Sequence, residues 1–146
     1  MKKVILVVLV LSAFFITACG SSRSETELLD YYVEAYTKGD YEAFKKAFPH
    51  VLIENVNKEA FELGIENIKK EYGDDYTIKY EYKSKRKLDL KDYEDDYEMI
   101  KSYYGVEMSD CYALDVVFTY SGSKSTKEEN YDLKYCKFDG EWYLTI

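Results

Sequence analysis

The chain has 146 residues, 33% of them charged and 17% aromatic, and carries a formal net charge of −8 at pH 7. Such an acidic balance argues against nucleic acid as a partner, because affinity for phosphates comes largely from Lys and Arg, and it holds the protein slightly off an anionic membrane surface. The length suits one small domain with a single core and excludes two.

Chain order begins with Lys2 and Lys3, an almost wholly apolar stretch from Val4 to Ile16, and the small residue Ala18. A spanning helix needs about 20 apolar residues; this stretch stops short and is followed at once by Gly20-Ser21-Ser22-Arg23. A positive start, a short apolar segment and a small residue in that order make an export signal. On the residues alone an uncleaved anchor, or an ordinary secretory signal cut elsewhere, remain alternatives. The run Ile16-Thr17-Ala18-Cys19 resembles the lipobox of a bacterial lipoprotein signal peptide. That resemblance implies removal of residues 1–18, a diacylglycerol on the Cys19 thiol, a short tether over residues 19–23, and a domain over 24–146 facing the extracytoplasmic side of the cell membrane. Losing Lys2 and Lys3 would take the formal charge from −8 to −10. At about 0.8 kcal/mol per buried CH₂, two or three acyl chains anchor stably.

Helical signals follow. Ser24-Glu25-Thr26-Glu27 reads as a capping box, in which hydroxyl and carboxylate satisfy opposite orphan amides. Leu28, Leu29, Tyr32, Val33 and Tyr36 recur at helical spacing up to Gly39. Asp40 caps a second short helix with Tyr41, Phe44 and Phe48 on one side, ended by Pro49. A third helix is expected from Asn57 to Tyr72, with Phe61, Ile65, Ile68 and Tyr72 as its buried stripe and Gly73 as its stop.

The period then changes. Tyr76, Ile78, Tyr80 and Tyr82 alternate with Thr77, Lys79, Glu81 and Lys83, the pattern of a half-buried strand. A helical interlude from Asp89 to Tyr104 places Leu90, Tyr93, Tyr97, Ile100 and Tyr104 on one face. Strands are expected at Cys111–Tyr120, Tyr131–Phe138 and Glu141–Ile146, and Asp139-Gly140 is a strong two-residue hairpin turn. Pairing Phe138 with Glu141 sets Tyr135 opposite Leu144 and Leu133 opposite Ile146. Pairing Cys111 with Cys136 sets Leu114 opposite Leu133, Tyr112 opposite Tyr135, and Val116 opposite Tyr131. Both hairpins choose the same parity, and a slip of one residue would turn every apolar side chain outward.

Helices followed by a mainly antiparallel sheet make the class α+β. The stretch Tyr36-Thr37-Lys38-Gly39-Asp40-Tyr41-Glu42-Ala43-Phe44, with Tyr135-Cys136-Lys137-Phe138-Asp139-Gly140-Glu141-Trp142-Tyr143-Leu144 at the end, resembles the NTF2-like superfamily, and especially its small bacterial lipoproteins. The resemblance implies a curved sheet wrapped into a cone around the first helix. It departs from the usual pattern in the inserted helix at about 89–104, and in only four clear strands; Val51–Val56 is the place for a further one. It implies a cavity rather than a reaction, since the fold carries isomerases, dehydratases and pure binding domains alike, and no catalytic position of the family can be matched here.

His50 is the sole histidine, and no carboxylate or cysteine spacing supports it as a general base. Asp92, Glu94, Asp95, Asp96 and Glu98 lack the Asp-x-Asp-x-Asp-Gly spacing of a calcium loop and read as a solvated helix face. Lys83, Lys85, Arg86 and Lys87 are expected to pair with it. No metal or cofactor is expected. Among 17 tyrosines, Tyr32, Tyr36, Tyr80, Tyr112, Tyr131 and Tyr135 fall on inward positions; either their hydroxyls reach the rim of the cone or they line a polar-tipped pocket. Inward positions otherwise hold only hydrophobes, without Asp, Glu or His. Two functions stay open: a non-catalytic ligand-binding or protein-interaction module taking an unknown small molecule or protein, or a small-molecule enzyme using the cone cavity. Outside the cytoplasm a disulfide can persist, and with Cys19 committed to lipid, Cys111 and Cys136 form one possible bridge on the outer face; two unpaired thiols are the alternative.

Overall fold

Ser24 opens the first helix in the computed structural model, which describes residues 22–53 and 57–145 apart from the side chains of Asp96 and Asp132. The expected export signal and Cys19 lie outside the described residues, as does the expected facing of Leu133 and Ile146. The Ser24 hydroxyl accepts the Glu27 amide at 3.1 Å, and α1 (Glu25–Lys38) runs to Gly39, whose φ of 70° supplies the left-handed stop. In place of the second half of a capping box, the Glu27 carboxylate accepts the Tyr31 hydroxyl at 3.2 Å. Asp40 accepts the amides of Glu42 and Ala43 and starts α2 (Tyr41–Ala47).

The extra strand expected at Val51–Val56 is corrected over its first half. Leu52 and Ile53 both donate backbone amides to the Pro49 carbonyl, giving the short helix α3 (His50–Ile53) with Ile53 in the core; residues 54–56 lie outside the described ones. Asn57 caps α4 (Lys58–Tyr72) through the Ala60 amide at 2.8 Å.

The sheet is a four-stranded antiparallel meander, β1 (Thr77–Lys87), β2 (Met108–Ser121), β3 (Thr126–Phe138) and β4 (Glu141–Thr145), in that spatial order. It is curved and unclosed. Each of the first three strands is longer than its apolar alternation predicts, because ladder pairing continues through polar residues once a neighbour is in place. The registers agree with expectation: Cys111 faces Cys136, Leu114 faces Leu133, Tyr112 faces Tyr135, Val116 faces Tyr131, and Tyr135 faces Leu144. Asp139 (φ 47°) and Gly140 (φ 90°) form the tight turn between β3 and β4.

One face of the sheet, the inner one, packs on α1, α2 and α4 through Leu28, Leu29, Phe44, Phe61, Ile78, Val116, Phe118, Leu133 and Leu144. A bulge between Tyr82 and Ser84 shifts the parity of β1, since one inserted residue turns the following side chains over. Lys85 therefore faces inward opposite Leu114, a correction to the expectation that inward positions hold only hydrophobes and tyrosines. Its ammonium pairs with Glu25 at 3.0 Å. Among the described residues the basic run makes no ion pair with the acidic helix: Lys83 pairs with Glu81 and Lys87 with Asp110. The reason is topological, because Lys85 and Lys87 lie on the inner parity whereas the inserted helix packs on the outer face.

That inserted segment is a single 3₁₀ turn over Leu90–Tyr93 followed by α5 (Glu94–Tyr104). Leu90, Tyr93, Tyr97 and Ile100 pack on a second, smaller cluster of Leu88, Met108, Cys111, Cys136 and Phe138. The protein thus has two apolar layers, one on each side of the sheet. Among the described residues no helix is long and apolar enough to cross a membrane.

Candidate functional site

The six tyrosines singled out by sequence fall on the inner face or on α1, but they are brought together as core rather than around an opening. Tyr32 packs on Tyr36, Phe48 and Phe118; Tyr131 stands edge-on to Phe118; and Tyr135 stacks on Trp142 at 4.3 Å between centroids. Their polar tips find partners at the rim. Tyr80 donates to Asp30 at 2.8 Å, Tyr131 to Glu129 at 2.8 Å, and Tyr135 to the Arg23 carbonyl at 2.6 Å. Tyr112 lies 5.1 Å below the Lys85 ammonium. Burial pushes the hydroxyls of Tyr32, Tyr36, Tyr80 and Tyr135 up to about 12, assisted in Tyr80 by the Asp30 carboxylate. These groups stay neutral hydrogen-bond donors at any ordinary pH.

The cavity that stands out lies on the opposite face. Its volume is about 290 Å³, at the small end of the range for small-molecule sites. The floor is the outer side of β2 and β3, with Met108, Cys111, Cys136, Phe138 and Lys134; Thr145 of β4 closes one side, and Leu88, Leu90, Tyr93, Met99, Ile100 and Tyr104 form the wall and roof. Cys111 and Cys136 are joined by a disulfide, with their Cα atoms 4.1 Å apart. Directly opposed residues on neighbouring antiparallel strands come this close only in a non-hydrogen-bonded pair, so the register that aligns the inner apolar face also makes the bridge.

The roof is held at its ends. The Leu88 amide donates to the Cys111 carbonyl at 2.9 Å, and Lys101 of α5 pairs with Glu107 at 3.4 Å. Glu107 and Asp139 are joined by two hydrogen bonds of 2.9 Å, tying the start of β2 to the β3–β4 turn. The Lys134 ammonium stands 5.1 Å over the Tyr93 ring. Met99 is 50% exposed although it lines the cavity, and Tyr103 beside it is 81% exposed. Sequence reasoning found the apolar stripe of α5 but not the surface beneath it. The available signal was the set of apolar residues on the outward parity, namely Cys111, Cys136 and Phe138, clustered at the strand ends nearest the inserted helix.

His50 is exposed at the start of α3, away from this cavity's lining. Asp92, Glu94, Asp95 and Glu98 are exposed on the 3₁₀ turn and α5, and among the described residues no cluster of His, Cys, Asp or Glu could hold a metal ion. The lining offers apolar surface, the hydroxyls of Tyr93, Tyr104 and Thr145, and one ammonium. Such a set can enclose and orient a ligand. Compared with known proteins, the chain matches no family model, no curated protein and no solved structure.

Proposed function

We propose that the protein is a lipid-anchored extracytoplasmic lipoprotein whose NTF2-like domain is a non-catalytic binding module, with the cavity under α5 as its site. The observation that carries this reading is the cavity itself: about 290 Å³ of apolar space with a few convergent polar groups, the usual composition of a binding pocket. Among the described residues its lining supplies no carboxylate or imidazole to exchange protons with a substrate. The run Ile16-Thr17-Ala18-Cys19 supports the anchor. The Cys111–Cys136 disulfide supports an oxidising compartment, because such bonds are rare where thiols are kept reduced. A first helix lying across a curved antiparallel sheet supports the NTF2-like assignment, with the outer-face cavity an addition to that pattern.

The test uses the full-length protein purified from membranes, incubated with cell extract and examined by native mass spectrometry. A small molecule retained by the wild type and lost from Ile100→Trp, whose indole fills the cavity, is the expected result; a thermal melt verifies that the variant is folded. Equal retention by both proteins would move the site elsewhere. Release of a chemically altered molecule would replace binding by catalysis.

A further inference from the structure

The cavity under α5 has two unlike ends. Lys134 and Phe138 lie four residues apart on β3, both on its outer parity, which sets them about 13 Å apart along the strand. Lys134 faces Thr145 across the β3–β4 ladder, and the Tyr93 ring lies against its ammonium, so this end gathers a cation and hydroxyls. Phe138 faces Met108 across the β2–β3 ladder, so the other end gathers two large apolar side chains. Cys136, with its disulfide to Cys111, lies between Lys134 and Phe138 on β3, and Leu88, Leu90 and Ile100 line the same cavity. Among the described residues Lys134 is the only charged one in the lining, and it makes no ion pair with any of them.

A small, mainly apolar cavity with a cation at one end suits an unbranched chain with a negative head. At about 30 Å³ for a water-sized group, the volume holds a chain of about ten carbons, and the 13 Å between its ends suits the same chain extended. The floor is two strands cross-linked by a disulfide, a rigid surface. The roof is the apolar stripe of α5, with half-exposed Met99 at its edge, and the unbranched thioether adapts to chains of differing length.

The tether adds a second argument. Arg23 pairs with Glu141 at 2.8 Å, donates to the Lys46 carbonyl at 2.8 Å and stands 4.2 Å over the Tyr143 ring. Tyr143 in turn packs edge-on against Phe138, at the apolar end of the cavity. The chain therefore leaves the domain beside the cavity, and Cys19 is four residues further on, at most about 14 Å of extended backbone. With Cys19 in a bilayer, the cavity lies within reach of the surface where single-chain amphiphiles partition.

We infer that the cavity binds a single-chain anionic amphiphile of about ten to twelve carbons, its head on Lys134 and its tail toward Met108 and Phe138. This deepens the binding reading above and rests on it. A free fatty carboxylate and a lysophospholipid share that chemistry.

The test is photolabelling of the full-length protein in phosphatidylcholine nanodiscs with dodecanoic acid carrying a diazirine at its far end. Peptides containing Met108 or Phe138 should carry the label, and Ile100→Trp should abolish it. Unlabelled dodecanoate or a twelve-carbon lysophosphatidylglycerol should compete, and whichever competes at lower concentration identifies the source. Lys134→Gln should weaken that competition about tenfold, the scale of a hydrogen bond to a charged group, and Lys134→Arg should restore it. Equal competition by dodecanol and dodecyltrimethylammonium would overturn the anionic class while leaving a binding cavity. Labels confined to other peptides would overturn the ligand altogether. In that case a molecule still retained from extract by wild type and lost from Ile100→Trp keeps the binding module, and its absence removes both.

Discussion

Single residues on β3 report the parity of the whole sheet. Leu133 is 2% exposed in the main core, whereas Lys134 beside it is half-buried at the outer cavity. Leu133→Asp loses the buried side chain and places a lone carboxylate in apolar surroundings, so it should cost more than about 4 kcal/mol and leave the protein largely unfolded. Lys134→Asp should stay within about 0.5 kcal/mol, a contrast that paired urea melts read directly. The titrating groups set a second expectation. Glu25 lies below the usual carboxylate range: burial raises it, but its own backbone amide, Lys85 and Tyr82 outweigh that. Asp75 is lowered by hydrogen bonds from Ser123. A depressed carboxylate stabilises the fold above its unfolded value and loses that contribution as pH falls through the folded one. The four tyrosines raised from 10.0 to about 12 act in the opposite direction, because the unfolded chain releases their protons first. Stability against urea should hold through neutral pH and drop between about pH 10 and 12. A flat profile across that alkaline window would show that these hydroxyls are not buried.

Among the elements, the β2–β3 hairpin is fixed at its tip as much as along its ladder. Its turn docks on the end of α4, where Lys124 donates its amide to the Tyr72 carbonyl at 2.9 Å and the Ser125 hydroxyl donates to the Glu71 carbonyl at 3.0 Å. Those carbonyls are orphans of a helix terminus, and the hairpin satisfies them. The approach is so close that a Cβ at Gly122 would sit 2.2 Å from the Tyr72 oxygen. Gly122→Ala should therefore destabilise by about 1–3 kcal/mol, the scale of an overpacked site. Gly64, inside α4, has only Tyr36 Cε1 at 3.7 Å from such a Cβ. Gly64→Ala should stabilise by about 0.4–1 kcal/mol by restricting the unfolded chain. Opposite shifts of the two melting temperatures are expected; shifts of the same sign would mean the hairpin tip does not rest on α4.

At the scale of the molecule, the disulfide joins β2 to β3 between two apolar layers. Its ends are 25 residues apart in sequence, so closure of that loop contributes about 3 kcal/mol in the chain-entropy account. This supports a domain whose small core leaves little margin. The proposed anchor gives the molecular prediction. Cys19→Ser should abolish incorporation of labelled fatty acid and leave the export signal in place, and equal labelling of wild type and mutant would remove the lipoprotein reading. Arg23 contacts Glu141, Tyr143 and the Lys46 carbonyl, so the chain preceding the domain starts beside the β3–β4 turn.

Much of the inner layer was legible from residues alone. The helix caps at Ser24 and Asp40 are local hydrogen bonds, and local chemistry needs no partner to declare itself. The registers of β2, β3 and β4 were legible because period-2 alternation admits one parity once two hairpins must share a face. The pairing of Cys111 with Cys136 followed from the same constraint. Other features were decided only when the chain closed on itself. The bulge after Tyr82 turned Lys85 inward toward Glu25, and a bulge depends on which residue of the neighbouring strand is already paired. Val51–Ile53 went to a helix because the Pro49 carbonyl was there to cap and Ile53 could reach the core. The stripe on α5 announced that it covers something, but periodicity names a buried face without naming what it is buried against. Only the tertiary fold, by laying that stripe over the outward apolar residues of β2 and β3, made a cavity with Lys134 at one end.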